Sequence, residues 1–178
     1  GGWSADSTLR FNGNRSYLGV VPTQPGDSVE LVSNWFDCQN YSNVMVQFSH
    51  ICKVSESDLA TVEFQIDQLG AKWQKFPLDA YKGLRTPYRQ LKFHHKSYSD
   101  WLADDSLAMP TNAWWKTEVY DLSADVAWER VRFKFKLKHG SVAGTQFANG
   151  WSIDDFIVYG ANGQIDLPEV SFIIQPVD

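Results

Sequence analysis

The stretch that decides the fold of this chain reads Gly150-Trp151-Ser152-Ile153-Asp154-Asp155-Phe156-Ile157-Val158-Tyr159-Gly160. Side chains on a β-strand alternate between its two faces, so a regular strand would point Trp151 and Ile153 one way and Phe156 and Val158 the other. One extra residue at the two acids, a β-bulge, restores a single apolar face. The stretch therefore predicts a bulged strand that packs all four apolar side chains into one core.

The two acids at the predicted bulge, Asp154 and Asp155, are the first candidate site. Adjacent carboxylates repel each other, and a hard cation such as calcium relieves that repulsion. Asp155 is the first candidate ligand and Asp154 the second, because carboxylates and backbone carbonyls at a bulge suit an ion that takes about six to eight oxygen ligands. Such a site is structural, since it ties the last strand to a neighbouring loop. The alternative is an acid pair that faces solvent at a sheet edge.

Alternating apolar residues predict further antiparallel strands with one wet face, most clearly at residues 61–67 and 131–138. Other strands are predicted around residues 16–21, 29–33, 44–54, 73–76, 117–122 and 152–159. Helical signals are confined to residues 97–102 and to one turn at residues 123–128. Many short strands separated by turn residues predict an all-β fold, an antiparallel β-sandwich of jelly-roll type.

The chain length and the turn signals predict one main domain. The 178 residues fit a single domain that buries its own core. Residues 1–160 are assigned to the jelly roll, and residues 78–111 form one long loop that is rich in aromatic residues. Residues 161–178 are interpreted as a linker or the start of a following module, so a larger parent protein is expected.

Charge and hydropathy exclude two classes of partner. The net charge is −5 and the pI is about 5.3, with acids and bases interspersed. This pattern provides no basic footprint for nucleic acid. The sequence also contains no apolar run of about eighteen residues, so direct insertion into a membrane is not expected.

Two cysteines, Cys38 and Cys52, leave two alternatives open. An extracellular domain would permit a disulfide between them. Cys52 also shares its strand parity with Phe48 and Val54, which favours a buried free thiol that packs as a small apolar group. Spacing alone does not decide between the two.

Eight tryptophans make the chain rich in aromatic residues, which suits both a β-sandwich core and a surface that stacks on sugar rings. Candidates for such stacking are Trp101, Trp114, Trp115 and Tyr81, since an exposed ring can pack on a sugar face while edge groups bind its hydroxyls. On a strand, Trp114 and Trp115 would point to opposite faces, so at least one of them is expected in the core.

Acidic residues provide little evidence for catalysis. A glycosidase holds two carboxylates about 5 to 10 Å apart across a cleft, and adjacency in Asp104-Asp105 or Asp154-Asp155 does not provide that geometry. Glu118 is a possible further acid, although an exposed strand position is the simpler interpretation. The chain also contains no nucleophile elbow, no His-Glu-x-x-His and no phosphate-binding glycine loop. A glycoside hydrolase-like activity therefore remains a minor alternative.

The histidines favour structural roles. His94 and His95 are adjacent, and neighbouring side chains of an extended loop point apart and chelate one metal poorly. His50 shares its parity with Phe48 and Cys52, which favours a half-buried histidine held by hydrogen bonds over a catalytic one.

Several segments, taken in order, resemble a known family of modules. They are Phe48-Ser49-His50-Ile51-Cys52-Lys53, Val62-Glu63-Phe64-Gln65-Ile66-Asp67 with Trp73, Tyr81-Lys82-Gly83, Trp114-Trp115-Lys116-Thr117-Glu118, Val131-Arg132-Phe133-Lys134-Phe135 and Gly150-Trp151-Ser152-Ile153-Asp154-Asp155-Phe156. Residues 3–160 thus resemble the MAM-like jelly-roll modules of secreted Bacteroidetes proteins, which are related to cleaved-adhesin domains and more distantly to MAM and reelin repeats. The final Trp-x-Ile-Asp-Asp motif is the most specific element.

The resemblance implies a non-catalytic extracellular module for binding or adhesion, with structural calcium near the terminal acid pair. Such modules are often exported by type IX secretion and belong to larger secreted or cell-surface proteins. The implied partner is a protein or glycan at the cell surface, together with neighbouring domains of the parent chain. The alternative is a carbohydrate-binding module that directs an attached hydrolase to polysaccharide.

Overall fold

The alternating apolar residues of the chain assemble into two antiparallel β-sheets that pack face to face, as a computed structural model shows. The structure describes residues 2–77, 92–102, 104–140, 149–160, 163–164 and 172–175. The predicted all-β antiparallel sandwich is confirmed. Within these residues no helix is long and apolar enough to cross a bilayer.

Each sheet is built around two long neighbouring strands. In spatial order, sheet A consists of β1 (Gly2–Asp6), β2 (Ser16–Val20), β10 (Trp151–Gly160), β5 (Val44–Cys52) and β8 (Lys116–Asp121), and β11 (Gly163–Gln164) pairs with the end of β10. Sheet B consists of β12 (Phe172–Gln175), β3 (Ser28–Ser33), β9 (Arg130–Lys138), β6 (Leu59–Ile66) and β7 (Gln74–Lys75), and β4 (Phe36–Asp37) pairs with the beginning of β9. The two long strands are β10 and β5 in sheet A and β9 and β6 in sheet B.

The chain crosses between the sheets repeatedly. Strands β2, β5, β8 and β10 lie in sheet A, while β3, β6 and β9, which come between them in the chain, lie in sheet B. This alternation is the jelly-roll connection of a double-sheet sandwich. It brings strand β10 to the middle of sheet A, between β2 and β5.

The predicted strands agree with the observed ones, and short elements complete the fold. A 3-10 turn at Ser99–Trp101 and the single turn α1 (Ser123–Val126) occur where helical signals were predicted. Residues 161–178 were interpreted as a linker or following module, but β11 and β12 within this range pair with β10 and β3. Among the described residues, part of that segment therefore belongs to the sandwich.

The bulge predicted from the phase change in β10 is confirmed. Asp154 pairs with Ser49 and Ile157 pairs with Gln47, so β10 carries one residue more than β5 across this interval. Asp155 lies in the left-handed region at φ 51°, as a bulge residue can. As a result Trp151, Ile153, Phe156 and Val158 are all buried in one core.

Gly150 precedes the bulged strand because no side chain fits there. A Cβ at this position would lie 1.8 Å from the carbonyl oxygen of Gly19 in β2. Glycine allows this close approach of two backbones. The close approach sets β10 against β2, and the Gly150 carbonyl accepts a hydrogen bond from the Lys53 amide on the other side.

Candidate functional site

The Asp154 carboxylate holds the loop between β1 and β2. Its Oδ2 accepts hydrogen bonds from the backbone N–H groups of Phe11, at 2.8 Å, and Asn12, at 3.1 Å. Its Oδ1 accepts a hydrogen bond from the Asp155 N–H at 2.7 Å. Because amide protons carry partial positive charge, they satisfy the carboxylate in the way that a cation would. Asp154 therefore has a structural role at the bulge that needs no ion.

The Asp155 side chain makes fewer interactions than that of Asp154. It is half-exposed, and the described residues form no hydrogen bond or ion pair with its carboxylate. Asp155 thus retains the ligand capacity that the sequence assigns to it. The described part of the chain contains no group of three or more His, Cys, Asp or Glu side chains that could hold a metal ion. Ligands for calcium beyond Asp155 would include backbone carbonyl oxygens, which this cation accepts readily.

Trp101 and Trp114, two candidates for ligand stacking, are buried around Lys53. Trp101 is fully buried, and its indole Nε1 donates to the Trp114 carbonyl oxygen at 2.8 Å. The Lys53 ammonium donates to the carbonyl oxygens of Trp101 and Leu102 and lies 5.3 Å from the centroid of the Trp114 ring. The two rings are not exposed, as stacking on a sugar would require, because they complete the core and enclose a buried lysine.

The other two stacking candidates also provide no exposed ring in the described structure. Trp115 is buried, its Nε1 donates to Asn112 Oδ1 at 3.3 Å, and its ring packs edge to face with exposed Phe11. Both Trp114 and Trp115 are therefore buried, where the sequence required this of only one. Tyr81 lies outside the described residues.

A buried polar network joins His50, Glu118, Tyr98 and Trp151. The Trp151 indole N–H can only donate, so the 3.1 Å contact to His50 Nδ1 makes this nitrogen an acceptor. His50 Nε2 then carries the proton and donates to Glu118 Oε1 at 3.2 Å. The Tyr98 hydroxyl donates to the same oxygen. The geometry thus fixes His50 as a neutral imidazole with its proton on Nε2.

The electrostatics of this network are those of buried groups that hydrogen-bond to one another. Burial lowers the pKa of His50, against the opposing effect of Glu118. Burial alone would raise the pKa of Glu118, but hydrogen bonds from His50 and Tyr98 outweigh it and the pKa is lowered. Two expectations need correction, since Glu118 is buried instead of exposed and His50 is fully buried instead of half-buried. Both face inward on paired strands β8 and β5.

His94, His95 and the two cysteines are buried as well. His95 Nδ1 lies 2.9 Å from the Val54 carbonyl oxygen, and His94 Nδ1 accepts a hydrogen bond from the Lys96 N–H. Burial lowers the pKa of both rings. Cys38 and Cys52 are free thiols in the core, which decides the open alternative in favour of packing.

The outer face of sheet B holds a surface that the sequence did not indicate. The guanidinium carbon of Arg132 lies 4.6 Å from the centroid of the Trp35 ring and 5.1 Å from that of the Trp73 ring. Arg132 Nε and Nη2 both donate to Gln65 Oε1, at 2.9 and 2.6 Å. All four side chains are half-buried. We call Trp35, Gln65, Trp73 and Arg132 the aromatic–arginine cluster.

The sheet register explains how distant residues form this cluster. Arg132 in β9 pairs directly with Gln65 in β6, so the two side chains share the outer face. Trp73 precedes β7 on one side, and Trp35 precedes β4 on the other. From these two short strands the chain brings both rings close to Arg132 in β9.

A buried ion network supports one side of the cluster. The Lys134 ammonium lies 4.3 Å from the centroid of the Trp73 ring. Lys134 is itself buried and paired with Glu30 at 3.2 Å and Glu63 at 2.9 Å. A cation beneath a tryptophan ring is attractive and fixes the ring. Trp73 is therefore held in place by a charge of the protein itself.

A third tryptophan lies just before β9 begins. Trp128, two residues before Arg130, is 60% exposed and has φ 67°. Its N–H donates to the carbonyl oxygens of Cys38 and Tyr41, which holds this left-handed conformation. A bulky residue in that region is strained, and retained strain of this kind marks functional positions more often than others.

The fold and this surface define a β-sandwich of the jelly-roll type with a half-exposed aromatic and basic patch on one sheet. In comparisons with known proteins, no family model matches the chain and no curated protein sequence matches it.

Proposed function

We propose that this chain is a non-catalytic binding or adhesion module of a larger secreted or cell-surface protein. The observation that carries the proposal is the aromatic–arginine cluster, which places Trp35 and Trp73 on either side of Arg132 at the surface. Tryptophan and arginine are the residues most enriched where binding energy concentrates. Of the polar groups with perturbed pKa, by contrast, His50 and Glu118 lie in the core, beyond the reach of a substrate in solution.

Structural calcium at the bulge is part of the same proposal. Asp155 is the first ligand, because its carboxylate is not engaged by the described residues, whereas Asp154 is turned toward amide protons. The ion would join β10 to a neighbouring loop and stabilise the module at extracellular calcium concentrations.

Carbohydrate binding is the second candidate function, with the module directing an attached hydrolase to polysaccharide. Trp35 and Trp73 favour it, since half-exposed indole rings near hydrogen-bonding groups suit the faces and hydroxyls of sugars. This candidate shares the surface of the first and differs only in the partner.

The test is binding of labelled wild-type protein and of the Trp35→Ala/Trp73→Ala double variant to a glycan array and to intact cells. The proposal expects wild-type binding that the double variant loses while its melting temperature stays within a few degrees. Equal binding of the two proteins would place the function elsewhere. Detection on cells but not on glycans would favour a protein partner.

A further inference from the structure

Three basic residues of β9 contact Trp35 or Trp73, namely Arg130, Arg132 and Lys134. Among the described residues, only Arg132 of these three has no acidic partner. Arg130 pairs with Asp67 at 2.6 Å, and Lys134 pairs with Glu30 and Glu63. Arg132 instead donates to the neutral amide oxygen of Gln65. The outer face of β9 therefore carries a full positive charge at the centre of the cluster.

The guanidinium of Arg132 also has unused hydrogen-bonding capacity. Arginine has five N–H donors in a planar fork. Gln65 Oε1 takes one from Nε and one from Nη2, so the Nη1 donors have no acceptor among the described residues. A carboxylate accepts two parallel N–H bonds from such an edge. The edge formed by Nη1 and the second Nη2 hydrogen is therefore free to donate to an anion with the geometry of a carboxylate.

The protein as a whole is acidic, so the positive charge of Arg132 stands in contrast to the net charge of the chain. The chain has a net charge of −5, which disfavours non-specific attraction of polyanions. Any affinity for a polyanion must therefore come from a local arrangement, and the cluster is half-exposed as such a site requires.

We propose that the aromatic–arginine cluster binds an acidic polysaccharide, with Arg132 pairing to a uronate carboxylate and Trp35 and Trp73 packing against sugar rings. This inference rests on the proposed binding function and names its ligand. The rings lie close enough to one guanidinium for a single saccharide segment to contact both. Arg132 supplies the charge recognition and the rings supply the apolar contact.

The surroundings of the cluster favour a saccharide over an acidic peptide. The cores of protein interfaces are depleted of Lys, Glu and Asp. Here Arg130, which lies over the Trp35 ring, forms an exposed ion pair with Asp67, and the polar Gln65 lies beside Arg132. A hydroxyl-rich chain can bond with these groups, whereas a buried protein interface would have to desolvate them.

The experiment measures binding of the whole chain to sodium polygalacturonate by affinity electrophoresis and titration calorimetry. Methyl-esterified polygalacturonate has the same backbone without the charge, and poly-glutamate has the charge without the sugar. The variants are Arg132→Gln, Arg132→Lys and Trp73→Ala. Arg10→Gln is the control, because it removes the same charge at an exposed position near the other sheet.

Wild-type protein should bind polygalacturonate, and Arg132→Gln and Trp73→Ala should each weaken binding by about tenfold or more, as expected for a charge-assisted bidentate pair. Arg132→Lys should lose most of the affinity, because an ammonium lacks the planar fork. Arg10→Gln should bind as wild type does. Unchanged melting temperatures separate lost binding from lost folding.

Three results would overturn the inference. In the first, wild-type protein binds the methyl-esterified chain as tightly as polygalacturonate, and Trp73→Ala abolishes both. The carboxylate would then not be recognised, while the proposed binding function would stand. In the second, wild-type protein binds poly-glutamate more tightly than polygalacturonate, and Arg132→Gln abolishes this binding. The surface would then be assigned to an acidic protein partner. In the third, Arg132→Gln binds polygalacturonate as tightly as wild type, or wild type does not bind it at all. Either outcome would exclude the cluster as a site for acidic polysaccharide. The glycan array and the cell assay test the broader binding function separately.

Discussion

The Asp154 carboxylate accepts a hydrogen bond from the Phe11 amide at 2.8 Å, across 143 residues of sequence. The bond joins the bulge of β10 to the loop that follows β1. One acid of the terminal motif is therefore part of the framework of the fold, which leaves its neighbour Asp155 as the candidate for an ion.

Replacing Asp154 with alanine should release this loop. The amides of Phe11 and Asn12 would lose their acceptor, so we expect a loss of about 1 to 3 kcal/mol in the free energy of unfolding. Hydrogen exchange of those two amides and urea unfolding are the measurements. Asp155→Ala in the presence of a chelator is the matched control and should leave both amides protected. Unchanged exchange in Asp154→Ala would contradict this role.

Chelation should lower the melting temperature if Asp155 holds calcium. Binding to the folded state alone stabilises it by about 2.7 kcal/mol when free calcium is 100 times its dissociation constant. Asp155→Asn keeps a residue that tolerates φ 51° and should abolish the difference between calcium and chelator. If wild type melts at the same temperature in both, calcium has no structural role.

Lys53→Met should be strongly destabilising, because the carbonyl oxygens of Trp101 and Leu102 would lose their buried donor. The expected loss is about 3 kcal/mol in the free energy of unfolding. Lys116→Met, which removes a more exposed lysine paired with Asp100, should cost less than about 1 kcal/mol. Similar losses in the two variants, measured by urea unfolding, would argue against the buried role of Lys53.

The protein should lose stability between pH 6.5 and about 4. Burial lowers the pKa of His94 from 6.5 to about 4 and lowers those of His50 and His95. In this window the unfolded chain binds protons that the folded chain does not, so the free energy of unfolding falls as the pH falls. Each such histidine contributes a slope of at most about 1.4 kcal/mol per pH unit, reached where it is protonated only in the unfolded chain. Melting curves from pH 7.5 to 4.5 measure this, and His94→Gln should flatten the profile. A melting temperature that is constant or rises on acidification would contradict it.

The sequence predicts the framework well because the framework depends on local patterns. The phase change between Ile153 and Phe156 can be resolved only by one extra residue, and the bulge appears there. Period-two alternation similarly locates β6 and β9, since one face of each strand must be apolar.

The surface could not be predicted in the same way, because it is made by register between distant strands. Trp35 and Trp73 are single residues that precede two short strands, and both meet at Arg132 only after β4, β9, β6 and β7 are paired. The alternating basic residues of β9 did signal an outer face. Burial of Trp101 was equally hidden, since its partner Lys53 lies 48 residues earlier in the chain.

The most direct measurement is a nitrogen-15 NMR titration of the tryptophan indole N–H signals with oligogalacturonate, assigned through single Trp→Phe variants. If the aromatic–arginine cluster is the binding surface, the signals of Trp35 and Trp73 shift progressively, while those of Trp101 and Trp151, which are buried and hydrogen-bonded, stay in place. Shifts that leave Trp35 and Trp73 unaffected, or no shift at all, would contradict the account.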